Sequence, residues 1–190
     1  MITTIIFDFF DVIHRDPYQT WLRENGLQKT KELEESSLLV DLGHISDDEF
    51  YQRLSKSTGR DYKDIKAIFM DDNYLDIVIL NLIIVLKDSY QIGLLSNSSS
   101  EYIRSILNKH DLTELFDEII VSAEVGIAKP SPEIFMHALS VLDSSPENTV
   151  FIDDNINNVK VASDIGIKGI LYNGSADELK QELQQLKVLD

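Results

Sequence analysis

Polar groups stand at three places where an apolar run stops. Asp8 follows Ile5-Ile6-Phe7, Ser96-Asn97 follows Leu94-Leu95, and Asp153-Asp154 follows Val150-Phe151-Ile152. In an open parallel sheet the carboxyl ends of the strands form the ligand crevice, so groups far apart in sequence would meet there. Each group also has a structural use on its own. Asp8 could cap a nearby helix, Asp153-Asp154 could sit at a helix N-terminus favoured by its dipole, and Ser-Asn-Ser-Ser-Ser at 96–100 reads as an N-cap and turn. The same pattern at three strand exits is what sets them apart.

The elements that must position these groups follow from the apolar patterning. Residues 2–10, rich in Ile, Thr and Phe, read as a strand buried on both faces. Residues 16–72 are polar, charged and helix-periodic, punctuated by Gly26, Gly43 and Gly59, and predict several short helices and no strand. Ser46 with Glu49 three residues on marks one helix start. The run 75–87 is taken as helix on its length. Strand and helix then alternate: strand 90–96, helix 101–109, strand 118–122, and helix 132–142 opened by Ser131 with Pro132 first. Strand 149–153, helix 155–165, strand 169–172 and helix 176–186 complete the chain. This predicts an α/β, doubly wound (Rossmann-like), mostly parallel sheet with helices on both faces and a helical insert.

The 190 residues suit one domain, or one with a modest insert. With 43% apolar and 26% charged residues the chain can bury a core. Its 17 basic and 33 acidic residues leave a net charge of −16, which would repel a nucleic-acid backbone or an anionic membrane, and there is no basic run. Neither is an expected partner. The absence of cysteine removes disulfides, thiolate nucleophiles and cysteine zinc sites, and suits a reducing cytoplasm. The first residues lack a basic n-region, and the most apolar stretch, 77–86, is far shorter than the ~20 residues that cross a bilayer. A cytoplasmic location is expected; the oligomeric state is left open.

A fourth stretch, Gly126-Ile127-Ala128-Lys129-Pro130 with Pro132, joins the other three. Val12-Ile13 follow Asp8, and Asn158, Ala162 and Gly166 follow Asp153-Asp154. In these four motifs, ordered from residue 5 to 166, the chain resembles the haloacid dehalogenase superfamily, which is mostly phosphohydrolases. The insert resembles the small helical cap of a subfamily, which implies a core of residues 1–15 plus 75–190 and a cap of 16–74. Within it, Gly43-His44-Ile45-Ser46-Asp47-Asp48-Glu49-Phe50 is similar to the cap segment of sugar-1-phosphate phosphatases and epoxide-hydrolase phosphatase domains.

The resemblance implies a role for each matching residue. Asp8 would be the nucleophile, attacking phosphorus to give an aspartyl-phosphate that water then hydrolyses. Magnesium would be held by Asp8, Asp154 and the main-chain carbonyl of Phe10, with Asp153 supporting through water. Ser96 would donate its hydroxyl and Asn97 a backbone amide to the phosphoryl group. Lys129 would neutralise developing charge and hold Asp8 ionised, and Asn158 would stand in the phosphate site, orienting the lysine or the acids.

One position departs from the family. Most of its phosphatases carry a second Asp two residues after the nucleophile, which moves the proton; this chain has Phe10 there and Asp11 one place on. General acid–base help is typically worth ~10²–10⁴-fold. The sugar-1-phosphate phosphatases also lack that Asp. Three readings stay open: Asp11 swings in as acid/base, a weakly basic leaving group dispenses with the acid, or the reaction is not phosphoryl transfer. The haloacid dehalogenases carry an aromatic residue at this place and need no metal. Against them stand Asp153 and Asp154 together.

The expectation is therefore magnesium-dependent hydrolysis of a small phosphomonoester, a sugar phosphate leading, with catalytic Asp8, Lys129, Ser96 and Asp11. The alternatives are a metal-independent 2-haloacid dehalogenase or a non-catalytic binding protein on the same scaffold. His14 and Arg15 sit at the expected mouth of the site. His44, His110 and His137 share no ligand spacing. Tyr18 and Trp21 would line the pocket or anchor the first insert helix.

Overall fold

The computed structural model describes residues 1–70 and 74–189. Five strands form one sheet: β1 (Thr4–Phe7), β2 (Gln91–Ser96), β3 (Glu118–Val121), β4 (Thr149–Asp153) and β5 (Lys168–Leu171). Their order is β3-β2-β1-β4-β5, and every pairing is parallel. Central β1 sets the register: Ile5 pairs with Ile92 on one side and Val150 on the other. β1 and β4 are buried along their whole length, as near-continuous apolar runs require in a sheet covered on both faces.

Among the described residues four helices lie between β1 and the next core helix: α1 (Pro17–Glu24), α2 (Lys31–Asp41), α3 (Asp47–Thr58) and α4 (Tyr62–Met70). The remainder are α5 (Ile77–Lys87), α6 (Ser100–Lys109), the four-residue α7 (Ser122–Val125), α8 (Pro132–Val141), α9 (Ile156–Asp164) and α10 (Ala176–Gln185). Side-chain alternation along β1 divides the core. Ile5 and Phe7 pack with residues of α5, α6 and α10, while Ile6 packs with α8 and α9. Among the described residues no helix is long and apolar enough to cross a membrane.

The first strand is shorter than residues 2–10. Asp8 extends the ladder by one bond, its N–H donating to the Ile152 carbonyl at 2.9 Å. The Phe9 carbonyl then accepts the N–H groups of Ile13 and His14, each at 2.9 Å, and the chain turns. The apolar run continues through this turn because Phe9, Val12 and Ile13 are buried by it, so apolarity alone does not show where the strand stops. Ser122 opens α7 instead of ending β3, and the helix expected from 155 starts at Ile156, with Asn155 as its N-cap. Ser131 stands at the N-cap of α8 but makes no capping bond; its hydroxyl turns to Glu133.

The insert is held together by aromatic rings. Phe50 of α3 meets Tyr18 of α1 at 5.7 Å and Phe69 of α4 at 5.9 Å, and Trp21 is 1% exposed. Its expected far edge near 72–74 falls partly on residues 71–73, which, with Asp190, lie outside the described residues. The α2–α3 turn docks on the core at Gly43. A Cβ there would lie 2.6 Å from the Ala123 carbonyl oxygen, and φ is +71°, so glycine alone fits.

Candidate active site

Asp8, Lys129 and Asp153 meet at the carboxyl ends of β1 and β4. Lys129 Nζ lies 2.7 Å from Asp8 Oδ1 and 2.8 Å from Asp153 Oδ2, with its side chain 2% exposed. The ammonium also stands 5.5 Å from the centre of the Phe151 ring. Asp8 Oδ1 further accepts the Phe9 N–H at 2.7 Å, whereas Oδ2 carries no hydrogen bond from a described residue. Burial drives the Asp8 carboxyl well above the usual range; Lys129 opposes this and Asp153 adds to it. Burial works against the charge on Lys129, but the two carboxylates win and hold its ammonium protonated.

Two asparagines fix this centre. Asn158 of α9 donates Nδ2 to both oxygens of Asp153, each at 3.0 Å, and the Asn155 N–H reaches Asp153 Oδ1 at 2.8 Å. The Asn158 side chain is thus committed to orienting Asp153. Asn97 clamps the backbone of Lys129, donating Nδ2 to its carbonyl at 2.9 Å and accepting its N–H at 2.8 Å. Ser96, at the end of β2, is fully buried, and its Oγ has no partner among the described residues; the cavity wall here is made by Asn97, Ser98 and Ser99.

Asp154 is the acid left over. It is exposed, and its carboxylate meets no donor of another described residue. Burial, then the charges of Asp153 and Asp11, raise it to about 6 against the pull of Lys129. One carboxylate oxygen from each of Asp8, Asp153 and Asp154 lies within 4.8 Å of the others. Three carboxylates thus face one ammonium, leaving two negative charges uncompensated. The donor set therefore fits a divalent, oxygen-seeking cation such as magnesium: Asp8 Oδ2 and Asp154 are uncommitted, while Asp153 is saturated by Lys129, Asn155 and Asn158.

Phe10 and Asp11 both line the cavity. The Phe10 ring stacks on Tyr102 at 5.9 Å. Asp11 is exposed, with φ +54°, and its Oδ1 accepts the Asp16 N–H at 3.0 Å. His14 and Arg15 do not reach the mouth. His14 is 1% exposed, stacked on Phe9 with Nδ1 against the Arg15 carbonyl, and Arg15 covers the Tyr74 ring. The turn at Phe9 folds both away from the strand exits.

The cavity above these groups holds about 320 Å³, enough for a small metabolite. Its far wall comes from the insert, and includes Asp16, Tyr18, Lys29, Asp41 and Asp47. Trp21 packs inside the insert instead. Sequence reasoning singled out Tyr18 but missed Asp16, Lys29 and Asp41 as wall residues, and read Asp47 as part of a helix start and of the cap-like segment 43–50, not as a wall residue. No motif marks them, because acids in a charged helical segment read as a solvated face. The one available signal for Asp41 was its place two residues before the Gly43 turn.

A family model described as haloacid dehalogenase-like hydrolase matches residues 2–166. A D-ribitol-5-phosphate phosphatase of Bacteroides thetaiotaomicron is 27% identical, over 96% of this chain and 97% of that enzyme. Drimenol cyclase drtB of Aspergillus calidoustus is 30% identical over 76% of this chain, which spans only 28% of the cyclase's length. Among solved structures, the HAD family enzyme bt-2542 of Bacteroides thetaiotaomicron, in complex with magnesium and inorganic phosphate, shares the fold. Its TM-score is 0.75 at 24% identity, covering 94% of this chain and 99% of that one. With a matching family model over most of its length, and the fold shared from end to end, the chain belongs to the haloacid dehalogenase-like hydrolases.

Proposed function

We propose that this protein is a magnesium-dependent phosphohydrolase that acts on a small phosphorylated metabolite, a sugar phosphate leading, in the cytoplasm. The observation that carries the reading is the bridge of Lys129 between Asp8 and Asp153, with the uncommitted Asp154 within ligand reach. A pure binding protein has no need of a nucleophile, and Asp8 opens on the cavity with its charge partner Lys129 beside it. The phosphatase named among its full-length relatives supports the same reaction class.

Asp8 is the nucleophile in this reading, its Oδ1 fixed by Phe9 and Lys129 before the substrate arrives. Lys129 places a positive charge beside the attacking carboxylate and the phosphoryl group. The Asn97 backbone amide, at the cavity wall, donates to a phosphoryl oxygen in this reading, and Ser96 Oγ, buried just behind that wall and without a partner among the described residues, is the second expected donor. Asn158 holds Asp153 in place. Magnesium, held by Asp8, Asp154 and the Phe10 carbonyl with Asp153 in support, would offset the repulsion between a carboxylate and an anionic ester. Residues 16–74 act as the cap, whose wall meets the part of the substrate beyond the phosphate.

The test is hydrolysis of para-nitrophenyl phosphate by the purified protein, with magnesium and with chelator, beside Asp8→Asn. Metal-dependent turnover that disappears in Asp8→Asn supports the reading. Halide release from a 2-haloacid that a chelator leaves unchanged would replace it with the dehalogenase reaction that an aromatic residue at position 10 permits.

A further inference from the structure

Hydrolysis of a phosphate ester through an aspartyl-phosphate moves a proton twice, onto the leaving oxygen and off the attacking water. Phe10 cannot carry it. Asp11 is exposed and anchored on the Asp16 N–H, and Asp16 spends Oδ1 on capping α1 through Tyr18 and Gln19. Asp41, at the end of α2, differs from both. It lines the same cavity as Asp8, and its carboxyl makes no hydrogen bond or ion pair with a described residue.

Its position is fixed from the core. Ser122 Oγ donates to the Asp41 carbonyl and accepts the Ser98 N–H at 3.0 Å. Ser98 directly follows Asn97, whose side chain clamps Lys129. Two residues beyond Asp41, Gly43 lies against Ala123 too closely for any side chain. The end of α2 is therefore tied to the loop that sets the lysine, while the Asp41 carboxyl stays uncommitted.

We infer that Asp41 is the proton carrier of the reaction, an inference that rests on the phosphohydrolase reading. As the Asp8–phosphorus bond forms and the ester P–O bond breaks, Asp41 gives its proton to the leaving oxygen, releasing the alcohol. Its carboxylate then takes a proton from the water that attacks phosphorus, the bond to Asp8 breaks, and inorganic phosphate leaves with Asp8 and Asp41 restored. Burial holds the Asp41 carboxyl at about 7; Asp16 adds to this, Lys29 and Lys129 oppose it, and Asp47 adds again. An acid poised there can give and take a proton at neutral pH.

The experiment compares kcat/KM for para-nitrophenyl phosphate, whose leaving group needs little protonation, with propyl phosphate, whose leaving alkoxide needs much. Full-length wild type, Asp41→Asn, Asp41→Glu and Asp11→Asn are assayed with magnesium, with thermal midpoints as a check on folding. For Asp41→Asn the propyl ester is expected to lose ~10²-fold or more and the aryl ester less than ~10-fold. Asp41→Glu should recover part of the propyl activity, and the alkaline limb of the propyl profile should vanish in Asp41→Asn. Equal losses on both esters, a selective loss in Asp11→Asn instead, or wild-type turnover of the aryl ester alone would overturn the inference and leave the phosphohydrolase reading standing. Failure of folded wild type to hydrolyse either ester, and a panel of sugar phosphates, would overturn both.

Discussion

Asn97 and Lys129 are joined twice, the asparagine amide donating to the lysine carbonyl at 2.9 Å and accepting the lysine N–H at 2.8 Å. The pair links the loop after β2 to the loop before α8, two segments 32 residues apart, and sets where the lysine side chain begins. A misplacement of about 1 Å in a reacting group can cost ~10²-fold in rate. Asn97→Ala is therefore expected to lower kcat for para-nitrophenyl phosphate by roughly 10–100-fold, with a smaller change in KM. Steady-state kinetics beside a thermal melt separate this from unfolding; a wild-type kcat would show that the clamp is not needed.

Lys129 itself is a stability residue as well as a chemical one. Among the described residues its ammonium is the only cation in contact with Asp8 and Asp153, both buried. Removing one partner of a buried ion pair typically costs ~3–5 kcal/mol, because the remaining charge is left uncompensated. Lys129→Met should lower the thermal midpoint in the presence of chelator and abolish turnover. Adding magnesium should then raise the midpoint of the variant more than that of wild type, since the cation replaces part of the missing charge. Equal magnesium shifts in the two proteins would count against a cation site at these carboxylates.

Much of this was legible in the sequence, for physical reasons. A parallel sheet covered on both faces demands apolar runs, and polar residues at their exits stand out against them, which is how Asp8, Ser96 and Asp153 could be found together. Asn97 was singled out for its backbone amide, yet its side chain does a different job, because a hydrogen bond to a residue 32 positions away leaves no local pattern. The wall of the cavity was illegible for a stronger reason. Asp41 sits in a helix whose other acids, Glu32, Glu34 and Glu35, are exposed, and only docking through Ser122 and Gly43 makes it different. His14 shows the converse: near the nucleophile in sequence, it is folded into the core by the turn at Phe9.

Asn158 offers a test of the cation site that leaves the cavity acids in place. Its amide holds both oxygens of Asp153, the acid expected to support the metal through water. Losing a partner that orients a ligand typically costs 10–100-fold in metal affinity or activity. Asn158→Ala should raise the magnesium concentration needed for half-maximal activity by roughly that factor, while the rate at saturating magnesium recovers most of its value. A magnesium requirement that does not move would assign Asn158 a purely structural place in α9.

Asp41 also predicts how stability depends on pH. Its carboxyl titrates at about 7 in the folded chain, against an ordinary value of 3.8, chiefly through burial. Between those values the folded state keeps a proton that the unfolded chain has released, so unfolding is favoured as pH rises through that window. Whatever stability the neutral carboxyl allows is fully present below about pH 4 and is lost by about pH 7. Asp41→Asn cannot ionise and should remove this slope. In chelator, the variant should match wild type near pH 4 and melt higher near pH 8. The side chain is partly exposed and solvent screens it, so the gain is taken as about 1–2 kcal/mol, roughly 2–8 °C for a chain of this size. Asp8, Asp16, Asp47 and Asp154 are raised too and remain in both proteins, so the difference between the two melting curves reports Asp41 together with its coupling to Asp16 and Asp47. Parallel curves across the range would mean that Asp41 is ionised in the folded chain well below neutrality, and would remove the basis for its acting as an acid there.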